Sequence, residues 1–598
     1  MDIRPVAASH TAALTRRVAT ALLVGTFLVA CSESSGEPAD LILRGGHIIT
    51  MDPGQPRAEA LAVSGDRLVY VGDEAGVESW RGPETRVVDL DGATALPGLT
   101  DGHAHLMGTG RLEARVDLLG TTSYAQVLEA VTAAVERAKP GEWILGRGWH
   151  QEKWSDDPEV TVRGFPTNAD LNRIAPDNPV SIRHASGHGR LVNQRALEAA
   201  GITADTPNPP GGEILHLPDG RPSGMLIENA EDLVENAYQE QLASQDPATR
   251  RAAEHRALQA GIDEFLRNGV TEVHSPPSES VPGASLEEIA LYREARDAGE
   301  LRMRVWAMVG NADATDGSLD SLWTIGTAGG GEGRLTVRAI KAYADGALGS
   351  RGAMLLEPYA DDDSQGEEVS SRAELERVAE LALEHGWQAG VHAIGDAANR
   401  RVLDVYEQAF ARHPEAAEDA RFRIEHAQIL APADVPRFAE LGVTAAMQGV
   451  QATSDGPWTP TRLGAARSRE RAYAFRDLWE AGALIIGGTD SPVERVNPWA
   501  SMAGMAIGRM ANGEVFNPGH LLTRREALET YTINAAKAAF EENERGSLEV
   551  GKLADVTVVD GDPLTVPDAD FASLGTLMTI VGGVVEYEAP APDADLAD

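Results

Sequence analysis

A chain of 598 residues is too long for one ordinary hydrophobic core, so at least two domains are expected. Its 52 lysines and arginines face 92 aspartates and glutamates, a net charge of −40. That balance argues against nucleic acid and anionic membrane surfaces as partners and for a solvated acidic exterior.

At the N-terminus, Arg16 and Arg17 precede the apolar stretch Val18–Ala30, which meets Cys31. A charged segment, a short apolar segment and a small-residue site read as a signal peptide over residues 1–31. Leu28-Val-Ala-Cys31 resembles the lipobox of bacterial lipoproteins; the alternative is an ordinary signal peptide with an incidental cysteine. Residues 32–39 read as a polar tether. The expected address is the bacterial cell envelope, exported and lipid-anchored, with membrane contact only through the anchor. Arg16-Arg17 also resembles a twin-arginine signal, but Val18 and Ala19 fit it poorly, which leaves the export route open. Cys31 is the only cysteine, so no disulfide forms within the chain. Beyond this region no apolar run is long enough to span a membrane.

From Asp40 to about Pro97, short apolar runs alternate with turns (Leu41–Leu43, His47–Thr50, Ala60–Val63, Leu68–Val71), and similar runs return at Ala554–Val559 and Thr579–Tyr587. The two β-rich ends, 40–97 and 545–590, are expected to form one small β-sandwich. Between them β-branched runs alternate with amphipathic segments. Strands are predicted around Leu99–His105, Val270–His274, Met303–Val309, Val337–Tyr343, Gln388–His392, Phe422–His426, Val443–Met447 and Ala483–Ile486. Helices are predicted at Ala373–His385, Asn399–Ala411 and Arg524–Phe540. Eight strands of this kind imply an α/β fold, a (β/α)8 TIM-type barrel over 98–111 and 249–544. Residues 112–248 are too long for one crossover and read as an insertion above the catalytic face.

The stretch Leu96-Pro-Gly-Leu-Thr-Asp101-Gly-His103-Ala-His105 sets two imidazoles at i and i+2. On an extended chain both point to one side and suit a borderline divalent metal such as zinc. Alone this is a weak signal, because surface and core histidines are common. Further polar residues recur at the expected C-terminal ends of later strands: Lys341, His392, His426 and Asp490. In Phe422–His426 the histidine closes an otherwise apolar row, as either a packed core residue or a ligand. Four histidines and an aspartate at matching barrel positions favour metal. Lys341 is one of five lysines; a buried one needs a counter-charge, for which Asp345 is a candidate.

These segments together resemble the amidohydrolase superfamily, specifically its amidohydrolase-3 or YtcJ-like group, over residues 40–587. The motifs are Leu96-Pro-Gly…Asp101-Gly-His103-Ala-His105, Lys341-Ala-Tyr-Ala-Asp345-Gly-Ala-Leu-Gly-Ser350-Arg351, Val391-His392-Ala-Ile-Gly-Asp396, Arg423-Ile-Glu-His426-Ala, Gly488-Thr-Asp490 and the closing Gly546–Asp555. The resemblance implies one or two divalent ions, zinc first. His103 and His105 would bind the more buried ion with Asp490, and His392 and His426 the more exposed one. Lys341 would be carbamylated and bridge the pair. Metal-activated hydroxide would attack a carbonyl carbon, and Asp490 would carry a proton to the leaving amine. The expected reaction is hydrolysis of a non-peptide carbon–nitrogen bond in a small molecule: an amide, N-acyl, N-formyl or cyclic amide. Ester or lactone hydrolysis on the same site, or a non-catalytic envelope binding protein, are the alternatives, and a homodimer is left open. Gly146-Arg147-Gly-Trp149-His150 and Arg183-His184-Ala-Ser-Gly-His188 resemble substrate-side motifs, so Trp149, His188 and Arg351 are the expected substrate contacts. Trp154 reads rather as packing. Ser186 departs from the acidic residue that relatives often carry before the Gly-His pair.

Overall fold

The computed structural model describes residues 37–156, 158–278, 283–311 and 333–590. The segment expected to be a signal peptide, with Cys31, lies outside the described residues, as does most of the expected tether. Among the described residues no helix is long and apolar enough to cross a membrane.

Eight parallel strands form the central sheet: β1 Leu99–Asp101, β2 Val270–Ser275, β3 Arg304–Gly310, β4 Leu335–Tyr343, β5 Gln388–Ala393, β6 Arg423–His426, β7 Thr444–Met447 and β8 Ile485–Gly487. They lie in chain order, each hydrogen-bonded to the next. β2, β5, β6, β7 and β8 are buried along their whole length, as expected of parallel strands covered on both faces. β8 comes back to the end of β1 at a backbone bond from Gly102 N–H to Gly487 O at 2.8 Å, which makes the barrel nearly closed. The approach requires bare backbone. A Cβ on Gly102 would stand 2.7 Å from the Gly487 carbonyl, and one on Gly488 would stand 2.7 Å from the His103 nitrogen.

Helices cover the outside. Arg372–His385 starts at a capping box between Ser371 and Glu374 and stops at left-handed Gly386; it buries Leu375, Val378, Ala379 and Ala382. Each device satisfies backbone groups that a helix end leaves open. Asp396–Arg412 joins β5 to β6. Two expectations differ from the structure. The helix foreseen over Arg524–Phe540 is two, Arg524–Thr530 and Ile533–Ala538, because Thr532 takes a non-helical conformation between them. The first strand ends at Asp101, so His103 and His105 stand beyond it. Their convergence is made by the turn after Gly102 and not by strand alternation.

Both ends of the chain contribute to the other sheets. A six-stranded sheet combines residues 47–49, 57–58 and 94–97 with 556–559, 576–581 and 584–588, and a four-stranded sheet holds 41–44, 60–64, 67–72 and 86–89. Side chains of both, among them Leu43, Leu61, Val556 and Ile580, share one apolar cluster. Asp555 reaches across to the barrel and takes both Nε and Nη2 of Arg304 in β3 at 2.7 and 2.9 Å. Residues 116–228 carry a separate six-stranded sheet with its own apolar cluster around Trp149, Phe165 and Ile182.

Candidate metal centre and active site

Ligand atoms of His103, His105 and Asp490 all lie within 4.8 Å of one another, just past the C-terminal ends of β1 and β8. Asp490 Oδ1 stands 3.6 Å from His103 Nε2 and 3.5 Å from His105 Nε2. The backbone fixes this meeting: Asp490 N–H donates to His103 O at 2.7 Å, and His105 N–H donates to Ser491 O at 2.7 Å. Asp101 locks the turn from below, accepting from the Thr489 backbone and hydroxyl and from His103 N–H. The rings continue from there. His426 lies 5.0 Å from His103 and 4.5 Å from His392, and His188 lies 4.9 Å from His392 (centroids).

Three of these imidazoles are held by their other nitrogen. His103 Nδ1 donates to Glu425 at 2.5 Å, and Glu425 is gripped by Arg423 at 2.7 and 3.0 Å. His105 Nδ1 reaches Pro277 O at 3.1 Å, and His426 Nδ1 reaches Gln448 Oε1 at 2.8 Å. Such partners fix tautomer and direction, as they do behind metal-ligating histidines. Burial pushes the His103 and His392 imidazoles below their ordinary value, and His426 down to about 3, keeping them neutral as metal ligation requires. Burial would raise the Asp490 carboxyl, but His105, His426 and His103 beside it hold it well below the usual carboxylate range. Nε2 of His103 and of His392 are buried without any hydrogen-bond partner. Other buried nitrogens of this protein also lack a partner, but these two belong to the ring cluster around Asp490, where such a nitrogen fits a divalent cation.

Lys341, on β4, is 1% exposed; burial pulls its amine down to about 8. Its Nζ lies over the Tyr343 ring at 4.8 Å. Asp345 is not its partner: that carboxylate accepts from the backbone of Met354, Ile394 and Gly395.

One cleft of about 480 Å³ is lined by His103, His105, His188, Lys341, His392, His426 and Asp490, so seven of the nine expected site residues come together. Trp149 and Arg351 do not. A register shift between Arg147 and Trp149, at Gly148 with φ 112°, breaks the strand's alternation, and a bulge re-aims the side chains around it. Arg147 consequently lines the cleft, while Trp149 is fully buried, stacks on Trp154 and donates to Ile182 O at 3.0 Å. Arg351 is spent on Asp361 at 2.8 Å. Ser186 bonds inward, to His184 Nδ1 at 2.8 Å and His188 N–H at 3.2 Å. His188 is held by Glu228, 2.7 Å from Nδ1. A side recess shares His188, His392, His426 and Asp490 with the cleft and adds His150, Gln451, Asp455 and Trp458. Arg147, His150, Glu228, Gln448 and Gln451 were not singled out for these roles from sequence. Glu425 and Arg423 stand inside a quoted motif, but only the fold shows that they brace His103.

Comparison with known proteins agrees with this architecture. Residues 86–587 match the Amidohydrolase family. The chain is 32% identical to the YtcJ protein of Bacillus subtilis (strain 168), over 92% of this chain and 99% of that one. It is 29% identical to an N-substituted formamide deformylase of Arthrobacter pascens, over 92% and 98%. Among solved structures, an uncharacterized metal-dependent hydrolase from Pyrococcus furiosus superposes with a TM-score of 0.66 at 28% identity, covering 88% of this chain and all of that one. With that match over most of its length and a His–His–Asp group at the mouth of its barrel, the chain belongs to the amidohydrolase family and is a metal-dependent hydrolase.

Proposed function

We propose that this enzyme cleaves the carbon–nitrogen bond of a small non-peptide amide: an N-acyl, N-formyl or cyclic amide. The observation that carries the reading is the His103–His105–Asp490 cluster, whose rings are braced from behind and whose His103 Nε2 is buried without a partner. These three residues would hold one divalent ion, zinc first. His392 and His426 would hold a second, with a carbamylated Lys341 between the two. In support, Lys341 is buried with no acidic side chain within 4.0 Å of it among the described residues. A neutral amine is also the form that reacts with carbon dioxide. Bound ions supply Lewis acidity and hydroxide at neutral pH.

The chain's own residues supply the proton path. Asp490 presents Oδ1 to both histidines, while Gln451 Nε2 donates to Oδ2 at 3.2 Å and fixes the carboxylate plane. A carboxylate so held takes a proton from water and returns it to the leaving nitrogen, without which an amine departs poorly. His188, fixed by Glu228, faces the cleft as a substrate contact. The relative named as a deformylase of N-substituted formamides supports including N-formyl compounds among the candidates.

We read residues 112–248 as a subdomain inserted after β1 and lying over the cleft, since its Arg147, Arg183 and His188 line that cleft. The two end-built sheets are read as one sandwich, supported by their common apolar cluster. Leu28–Cys31 supports lipid anchoring in the bacterial envelope, and the net charge of −40 supports a small-molecule substrate over nucleic acid. The test is a panel of N-formyl, N-acetyl and cyclic amides beside matched esters, with zinc-loaded protein. Amide turnover lost in chelator and regained with zinc is expected; turnover of esters alone overturns the reading.

A further inference from the structure

Arg147 is a buried arginine without an acidic partner. It is 5% exposed and lines the cleft that also holds His103, His105 and Asp490. Its Nε donates to Pro492 O at 3.2 Å and its Nη2 to Ala185 O at 3.3 Å. Among the described residues no carboxylate lies within 4.0 Å of its guanidinium. Two long bonds to carbonyls leave most of its five donors unused, and a buried charge without a counter-ion is costly.

Three acids of this region are already committed elsewhere. Glu231 accepts from Arg183 at 2.9 Å and from Arg190 at 3.4 Å, and Glu235 takes Arg190 at 2.9 Å. Glu228 is occupied by His188. Burial, then the neighbouring Arg183 and Arg115, pull the guanidinium of Arg147 down to about 9, against a smaller opposing pull from Asp490 and Glu231. Gly187 (φ 77°) flanks it, and a Cβ there would come 3.3 Å from Nη2; the glycine keeps that flank clear. Pro492, which Arg147 touches, is two residues beyond Asp490.

We propose that Arg147 is the counter-ion for a carboxylate carried by the substrate, so that the amide cleaved at Asp490 belongs to an anionic molecule of the N-acyl amino acid class. This deepens the amide-hydrolase reading and rests on it. The planar fork of an arginine matches a carboxylate with two parallel hydrogen bonds. The exterior, at −40 net charge, would repel such a substrate, so selection for it has to come from a local cation of this kind.

The test uses a pair of probes that differ only in charge, N-formylphenylalanine and N-formylphenylalaninamide, with zinc-loaded wild type and Arg147→Gln. Glutamine retains a donor toward Pro492 O or Ala185 O but carries no charge. Wild type is expected to prefer the anionic probe by at least about tenfold in kcat/KM. Arg147→Gln is expected to raise KM for that probe about 10- to 100-fold more than for the neutral one, the scale of losing a charged hydrogen-bonded partner. Equal losses on both probes would mark Arg147 as structural and overturn the proposal, as would a wild type without charge preference. If neither probe is hydrolysed, the amide reading is what has failed for these compounds, and binding decides the inference by itself. Thermal stabilisation of wild type by the anionic probe, absent in Arg147→Gln, supports it. Equal stabilisation of the two proteins, or none, overturns it.

Discussion

Glu228 holds Nδ1 of His188 at 2.7 Å from a backbone conformation that non-glycine residues seldom adopt, φ 50° and ψ −133°. Its carboxylate fills a notch made by two glycines: a methyl group on Gly346 or Gly352 would overlap Oε1. Strain of this kind persists where the surroundings over-determine it. Here it aims a carboxylate of residues 112–248 across to the loop after β4, where Gly346 and Gly352 leave the room it occupies.

Glu228→Gln keeps the shape of the side chain but weakens a charged hydrogen bond worth about 1.5–3 kcal/mol. We expect kcat/KM to fall about tenfold or more while the melting temperature changes little. Gly346→Ala, which displaces the carboxylate without removing it, should reproduce the defect. Steady-state kinetics beside thermal melts check both, and normal kinetics in Glu228→Gln would mean that His188 does not need this partner.

A second brace stands behind the metal ligand. Glu425 lies between His103 Nδ1 at 2.5 Å and the Arg423 guanidinium at 2.7 Å, all three fully buried. Glu425→Gln should weaken zinc binding about 10- to 100-fold, as loss of such outer partners does elsewhere. It should also lower stability by roughly 3–5 kcal/mol, because Arg423 is left as an uncompensated buried charge. Zinc competition with a chromophoric chelator and thermal melts measure the two effects. Unaltered zinc affinity would deny the brace its role.

Much of the barrel could be read from sequence because parallel strands buried on both faces are written as short β-branched runs, and a histidine or aspartate closing such a run stands out. His392 and His426, at the ends of β5 and β6, are of that kind, whereas Asp490 stands three residues beyond β8. What could not be read were interactions made across long separations. Glu228 closes the run Met225-Leu-Ile much as the two histidines close theirs, but its partner is 40 residues away and no spacing in the sequence links the two. Trp149 stays away from the cleft because the bulge at Gly148 separates its direction from that of Arg147, a break the motif does not announce. The meeting of His103 with His105 was expected for a reason that does not hold, since the strand stops at Asp101. What brings them together is the glycine seam between β1 and β8, where backbones touch at 2.8 Å.

Lys341 tests the number of ions. Lys341→Ala should cost at least one bound metal and most of the activity, and bicarbonate with a short carboxylic acid should restore part of both. Metal content by elemental analysis, with and without the added acid, is the measurement. Full metal content and activity in the variant would remove Lys341 from the site.

Asp455, in the side recess, sets a pH dependence. Burial pushes its carboxyl up to about 7, against the partial relief given by Lys153 and by the Tyr473 hydroxyl at 2.8 Å. Between about pH 4 and pH 7 the folded protein keeps a proton that the unfolded chain has released. The stability contributed by Asp455 is therefore complete below about pH 4 and drains away as pH rises through 7, by up to about 1.4 kcal/mol per unit. Asp455→Asn removes this dependence, so the variant should gain on wild type between pH 5 and pH 8. Denaturant melts at several pH values check it; parallel curves for the two proteins would refute it.

The last prediction separates metal binding from proton transfer at Asp490. The carboxylate touches both imidazoles and is also fixed by Gln451 at 3.2 Å, so it can serve as ligand and as proton carrier. Asp490→Asn preserves the shape and one coordinating oxygen, and its amide can meet Gln451 once that side chain turns its own carbonyl toward it, but it cannot take up a proton. If proton transfer is its main work, zinc content should fall modestly while kcat falls by roughly 10²-fold or more, the scale of general acid–base help. The loss should be steeper for amides than for esters with good leaving groups, because an alkoxide or phenoxide departs without prior protonation and an amine does not. His103→Ala should behave differently, losing zinc and activity together, since its Nε2 has no other purpose in the cluster. Parallel zinc analysis and kinetics on a matched amide and ester make the comparison. Near-normal amide turnover in fully loaded Asp490→Asn would assign the proton to some other group.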